Sequence, residues 1–125
     1  MCIRDRLSRL MLAMKSTVAN QMKLPTLIFD EIDTGVSGEV ANKMGVLMRE
    51  LGDNHQVIVI THSPQVSASA HKHFHIFKEE NKKRAFTRMK ELNTEERITE
   101  IAKMLSGASP TDSALSNAKE LLDID

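Results

Sequence analysis

The chain has 125 residues, of which 41% are hydrophobic, which suits one compact domain or part of a larger one. Its 17 basic and 17 acidic residues cancel, so the overall charge gives no support for binding to nucleic acid or to an anionic membrane. A single cysteine excludes an internal disulfide, and no apolar stretch is long enough for a membrane span or a secretion signal. We therefore expect a soluble intracellular protein.

Apolar residues at helical spacing predict a first helix from Leu7 to Met22, with an apolar stripe formed by Leu7, Leu10, Met11, Met14 and Val18. Pro25 breaks this pattern. The short run Leu27-Ile28-Phe29 that follows is wholly apolar and ends at Asp30. Such a run is typical of a parallel strand that is buried on both faces.

A turn with two glycines comes next, from Thr34 to Gly38, and Ser37 is placed to cap a helix that runs from Gly38 to about Leu51. The predicted apolar stripe of this helix comprises Val40, Met44, Leu47, Met48 and Leu51. A second continuous apolar strand, Val57 to Ile60, is again predicted to be buried on both faces. Ser63 and Pro64 then open a short helix through Ala70.

The last third of the chain predicts two alternating strands, His73 to Phe77 and Arg84 to Glu91, joined by a charged turn. Helices from Thr94 to Gly107 and from about Thr111 to Leu122 complete the order. Two buried strands joined by a helix form a parallel crossover. The predicted fold class is therefore α/β, with flanking helices, a β-hairpin and two C-terminal helices.

Three further groups of residues have a functional and a structural interpretation. The alternating His71, His73 and His75 could chelate a metal, but a polar strand face is the favoured reading. A basic patch around the hairpin could touch DNA phosphates, but a solvated hairpin is favoured; it comprises Lys78, Lys82, Lys83, Arg84, Arg88 and Lys90. Methionines on the predicted helices are interpreted as core filling, namely Met11, Met14, Met22, Met44 and Met48.

Both predicted buried strands end in polar residues of a catalytic kind. Asp30-Glu31 follows the first strand and Thr61-His62 follows the second. Because active sites of open parallel sheets lie at the carboxyl ends of the strands, neighbouring strands would bring these four residues together. An apolar strand that delivers Asp and then Glu suits nucleoside triphosphate hydrolysis, which requires Mg²⁺ and an oriented water molecule.

Four sequence blocks resemble those of one family. Leu24 to Glu31 resembles a Walker B motif with its catalytic glutamate, and Ile32 to Gly38 resembles a D-loop. Val59 to Val66 is similar to a switch-histidine loop, and Leu7 to Ala13 to the helix after an ABC signature motif. Together with the tail from Arg97 to Leu122, these blocks resemble the RecN family of bacterial DNA-repair proteins, which are SMC-like ABC ATPases.

The resemblance implies a role for each matching position. Asp30 would bind Mg²⁺ through water, and Glu31 would act as the general base. His62 would contact the γ-phosphate of ATP. Asp33, with the turn that contains Ser37 and Gly38, would reach toward the site of a second head, so that two ATP molecules lie between two heads.

Two departures from the family pattern change what the chain alone can do. The phosphate-cradling sequence G-x-x-x-x-G-K-[ST] does not occur in these 125 residues, so tight ATP binding by the chain alone is not expected. The family also has Ser-Gly-Gly-Glu where this chain has Ile3, Arg4, Asp5 and Arg6. We therefore interpret residues 1–6 as foreign or misassigned and residues 7–125 as the C-terminal part of an ATPase head.

The resemblance also implies partners and a location. They are DNA through the full-length protein, a second copy of the head, the missing N-terminal half of the head, and the bacterial cytoplasm near the nucleoid. Two alternatives remain open at this stage. One is a head fragment of another SMC-type chromosome or break-repair ATPase, and the other is a non-catalytic interaction domain with the same fold.

Overall fold

The computed structural model describes the chain from Ile3 to Ile124, apart from the side chain of Arg4. Its elements in chain order are α1 (Ile3–Met22), β1 (Thr26–Asp30), α2 (Gly38–Leu51), β2 (Gln56–Ile60), α3 (Pro64–Ser69), β3 (Phe74–Asn81), β4 (Arg84–Glu91), α4 (Thr94–Ser106) and α5 (Asp112–Leu122). The predicted α/β class and the order of the elements are confirmed. Helix α1 begins four residues before the predicted Leu7, and the hairpin turn is shorter than predicted because β3 continues to Asn81.

Strands β1 and β2 pair in parallel, with Leu27 opposite Val57 and Phe29 opposite Val59. Helix α2 makes the connection between them, so the predicted parallel crossover is confirmed. Strands β3 and β4 form a separate antiparallel hairpin, with Phe74 opposite Glu91. The described residues thus contain two two-stranded sheets.

The prediction that β1 and β2 are buried on both faces is wrong. One face, with Leu27 and Phe29, packs against α1 and α2, and Phe29 is fully buried. The opposite face carries Ile28, Ile58 and Ile60, whose exposed fractions are 56%, 44% and 45%. No described element covers these side chains, although their apolar character is that of a strand covered on both sides.

The predicted apolar stripe of α1 also lies at the surface. Its five members are all exposed, and α1 buries Leu12 and Ala19 instead. The core-filling interpretation is correct for Met44 and Met48 and wrong for three other methionines, which are exposed: Met11, Met14 and Met22. The physical reason is that 3.6-residue periodicity identifies an apolar face but does not say which neighbour covers it.

Two small cores hold the described residues together. The first joins α1, β1, α2 and α3 around Phe29, Met44 and Val66. The second joins α4 and α5 around Ile101 and contains Ala102, Ala114 and Ala118. Arg97 of α4 connects the two, because its guanidinium donates hydrogen bonds of 3.2 and 2.9 Å to the carbonyl oxygens of Ser67 and Ala70 at the end of α3.

The histidines and basic residues of the hairpin region occupy separate environments. His75 lies in β3, where its Nδ1 is 3.2 Å from Oε1 of Glu100, whereas His71 precedes the strand and is exposed. His73 is half-buried, and its Nδ1 has no hydrogen-bond partner among the described residues. The six basic residues of the hairpin are exposed, and Arg88 and Lys90 form ion pairs with Glu79 and Glu96.

Gly45 lets α2 and α3 approach closely, and a larger residue there should destabilise the fold. A Cβ atom at position 45 would lie 2.4 Å from Oγ of Ser69 and 3.3 Å from the carbonyl oxygen of Gln65. We expect Gly45→Val to lower the free energy of unfolding by about 2 kcal/mol, because overpacking forces the helices apart. Thermal unfolding followed by circular dichroism measures this. Asn42→Val, at an exposed position of the same helix, is the control for valine in a helix; equal losses in the two variants would contradict the close-packing explanation.

His73 should make stability depend on pH. Burial, and next the positive charge of Arg97, lower the pKa of His73 below its ordinary 6.5 in the folded chain. The unfolded chain therefore takes up the proton more readily, so stability is complete above the ordinary pKa and falls as pH falls below it. We expect His73→Gln to weaken this fall as pH drops below about 6.5. Chemical denaturation at several pH values tests it, with the exposed His71→Gln as control; an unaltered pH dependence in His73→Gln would count against the prediction.

Candidate functional site

The carboxyl ends of β1 and β2 bring the predicted acid and imidazole together. Asp30 is opposite Ile60 in the parallel register, and the backbone N–H of Glu31 donates a 2.8 Å hydrogen bond to the carbonyl oxygen of Ile60. Just beyond these ends, Nδ1 of His62, two residues after Ile60, is 3.7 Å from Oε1 of Glu31. Both side chains are more than half exposed, so both are accessible to a ligand from the same side.

The backbone at Glu31 adopts a conformation that is uncommon for a residue with a side chain. Its φ of 49° lies in the left-handed region, as do those of Lys23 and Asp123. Lys23 directly follows α1 and Asp123 caps α5, where left-handed residues are ordinary helix ends. Glu31 follows a strand instead. A left-handed residue costs about 1 kcal/mol or more, and such strain is concentrated at functional sites.

Asp30 has a different environment from Glu31. As the last residue of β1 it alternates with the buried Phe29, so it lies on the uncovered face with Ile28 and is exposed. The described residues contain no group of three or more His, Cys, Asp or Glu side chains that could hold a metal ion. A Mg²⁺ ion commonly uses one or two carboxylates together with water and phosphate oxygens. The exposed carboxylate of Asp30 fits that mode of binding.

Asp33 is turned into the protein. Its side chain is only 6% exposed, and it accepts a hydrogen bond from the hydroxyl of Thr61. The same Thr61 oxygen accepts a 2.9 Å hydrogen bond from the backbone N–H of Ser63. The turn after β1 and the loop after β2 are therefore joined through one threonine hydroxyl, and His62 lies between Thr61 and Ser63.

Ser37 and Gly38 form the start of α2 beside the same loop. Oγ of Ser37 accepts a hydrogen bond of 3.4 Å from the backbone N–H of Val40, which confirms the predicted cap. A Cβ atom on Gly38 would lie 3.2 Å from Nε2 of Gln65, so the glycine admits the amide of Gln65 at close range. Oε1 of Gln65 in turn accepts a 3.1 Å hydrogen bond from Oγ of Ser63.

Three contacts around the site were not predicted from the sequence. They join Thr61 to Asp33, Gln65 to Gly38, and Lys15 of α1 to Ile28. Nζ of Lys15 donates a 2.9 Å hydrogen bond to the carbonyl oxygen of Ile28 and lies 5.2 Å from the ring centre of Phe29. No local sequence signal could have identified these contacts, because each joins residues from different elements.

This fold is shared with a solved structure at low sequence identity. The related structure comes from work on the ATP-driven dimerisation and DNA-stimulated activation of SMC ATPases. The match has a TM-score of 0.67 and 19% identity, and it covers 87% of this chain and 65% of the other. The chain therefore has the fold of part of an SMC-type ATPase head.

Sequence similarity identifies the particular relatives. The chain is 48% identical over 116 residues to the DNA repair protein RecN of Rickettsia bellii, 43% to that of Vibrio cholerae and 45% to that of Bacillus subtilis. Each match covers 93% of this chain. The chain is thus homologous to RecN, and it spans about a fifth of the length of these relatives, 21% in the first case.

Two other findings concern family models and membrane spans. No family model matches the chain. Among the helices of residues 3–124, none has the length and apolar character needed to cross a membrane.

Proposed function

We propose that this chain is the C-terminal part of the ATPase head of a RecN-type protein that acts in repair of DNA double-strand breaks. The observation that supports this most directly is the approach of Glu31 and His62 to 3.7 Å at the tips of two adjacent parallel strands. Homology to RecN along 93% of the chain supports the same function. The RecN relatives that match are bacterial, which fits a protein of the bacterial cytoplasm near the nucleoid.

In this proposal each side chain has a separate task at the triphosphate of ATP. Glu31 accepts a proton from the attacking water molecule and orients it, since a carboxylate with free access to solvent can hold that water. His62 donates a hydrogen bond to the γ-phosphate, and Asp30 holds the water shell of Mg²⁺. When bound, a Mg²⁺ ion would neutralise the negative charge that develops on the phosphate oxygens during phosphoryl transfer.

Residues outside this chain are needed to complete the site. The 125 residues contain no phosphate-cradling sequence, and residues 3–6 do not match the signature motif of the family. We infer that the chain alone hydrolyses no ATP, that residues 1–6 are foreign or misassigned, and that a second head contributes the opposite side of each site. The DNA contact of the proposal lies in the full-length protein, because the net charge of this chain is zero.

Glu31→Gln tests the catalytic assignment in the full-length protein. The substitution keeps the size of the side chain and removes the proton acceptor, so we expect ATP turnover to fall by about a hundredfold or more while ATP binding persists. Steady-state hydrolysis and nucleotide binding are measured on the same preparation. Glu50→Gln, at an exposed position near the far end of α2, is the matched control and should keep full activity. Unchanged turnover in Glu31→Gln would favour a non-catalytic interaction domain.

The uncovered sheet face, which carries Ile28, Ile58 and Ile60, provides a second test. In the proposal this face contacts the missing N-terminal half of the head. Ile58→Thr keeps a β-branched residue, so it should alter stability little in the isolated chain, where Ile58 is 44% exposed. In the full-length protein the same change should cost about 1.5 to 3 kcal/mol, because the isoleucine would be fully buried there.

Thermal unfolding of both lengths of protein measures this difference. Val57→Thr is the matched control, because Val57 packs against the first core. This substitution should destabilise the short and the long protein alike. Equal effects of Ile58→Thr in the two proteins would contradict the assignment of this face.

A further inference from the structure

We propose that Thr61 is a positioning residue for hydrolysis: its hydroxyl bridges Asp33 and Ser63 and thereby fixes the separation of Glu31 and His62. This inference rests on the proposed function. It also gives Asp33 an inward role, in which its carboxylate anchors the turn after β1 within its own head.

The backbone hydrogen bonds between β1 and β2 end at the tips of these strands, and the bridge through Thr61 joins the segments that follow. The last backbone hydrogen bond between the two strands joins the N–H of Glu31 to the carbonyl oxygen of Ile60. Beyond this hydrogen bond, β1 continues into a turn and β2 into a loop, and the hydrogen bond from Thr61 to Asp33 joins the turn to the loop. Glu31 lies two residues before Asp33, and His62 lies one residue after Thr61, so both catalytic side chains are close to this bridge.

Burial gives the bridge its strength. Asp33 is 6% exposed, and a buried carboxylate is costly unless hydrogen bonds satisfy it. A hydroxyl can donate one hydrogen bond and accept others, and Thr61 uses both capacities, toward Asp33 and from the N–H of Ser63. The hydrogen bonds of Thr61 therefore determine where the backbone on both sides of His62 lies.

The flanking contacts restrict the turn and the loop further. Within the turn, the N–H of Thr34 donates a 3.3 Å hydrogen bond to the carbonyl oxygen of Glu31, and that of Val36 does the same to Asp33. On the loop, Oγ of Ser63 caps α3 by accepting from the N–H of Val66. The side chains of Glu31 and His62 themselves are more than half exposed. Their relative position therefore depends on the backbone that the bridge secures.

The primary test is Thr61→Val in the full-length protein, which removes the hydroxyl and keeps the shape of the side chain. We expect kcat for ATP hydrolysis to fall by about tenfold to a hundredfold, because small displacements of catalytic groups have effects of that size. The KM for ATP should change by less than about twofold, since Thr61 itself is not assigned a contact with nucleotide. Thr61→Ser restores the hydroxyl and should recover kcat to within about threefold of the unmodified protein.

Two further variants separate positioning from folding. Thr99→Val removes a hydroxyl that bonds to the carbonyl oxygen of Glu95 on α4, far along the chain from the site, and should leave kcat unchanged. Asp33→Leu removes the acceptor of the Thr61 hydroxyl, so kcat should fall as in Thr61→Val, and this variant tests the bridge if Thr61→Val does not fold. Unchanged kcat in Asp33→Leu would overturn the inward role of Asp33.

The outcomes distinguish this inference from the function on which it rests. Loss of turnover in Glu31→Gln with normal kcat in Thr61→Val would overturn the positioning role alone. A fall in kcat that Thr61→Ser does not restore would also overturn it. Normal turnover in Glu31→Gln would overturn the proposed function and the role of Thr61 in hydrolysis with it.

Discussion

Parallel pairing of β1 with β2 is the constraint on which the rest of the site depends. Asp30 is opposite Ile60, and the backbone N–H of Glu31, the residue after β1, donates a hydrogen bond to the carbonyl oxygen of Ile60. A shift of the register by one residue would exchange the buried and uncovered faces and move the imidazole of His62 away from the carboxylate. The crossover helix α2 and the packing of Phe29 hold this register, since Phe29 is fully buried only in the observed alternation.

The site combines a rigid base with accessible chemical groups. Asp33, Thr61 and the capped start of α3 are buried or half-buried and joined by hydrogen bonds, whereas the side chains of Glu31 and His62 are exposed above them. The left-handed backbone of Glu31 belongs to the same arrangement, because its N–H and carbonyl oxygen are both held by backbone partners.

The uncovered surfaces have a common physical explanation in the relation of this chain to its relatives. An apolar face on the parallel sheet and an apolar stripe on α1 are unfavourable in water, and neither has a described neighbour. The chain spans about a fifth of the RecN proteins to which it is homologous. In the proposed function, the missing N-terminal half of the head covers this apolar sheet face.

Local sequence patterns are sufficient to predict the α/β order, the cap at Ser37, the helix that Ser63 and Pro64 open, and the two strand tips that carry Asp30-Glu31 and Thr61-His62, because these features depend on periodicity and on residues adjacent in the chain. Which faces are covered depends instead on the elements that meet in three dimensions. Ile28 and Met14 were predicted to be buried and are exposed, since periodicity cannot say whether a neighbour is present. The inward direction of Asp33 toward Thr61 also depends on the tertiary structure, because this contact joins residues 28 positions apart and arises only when the two strands align.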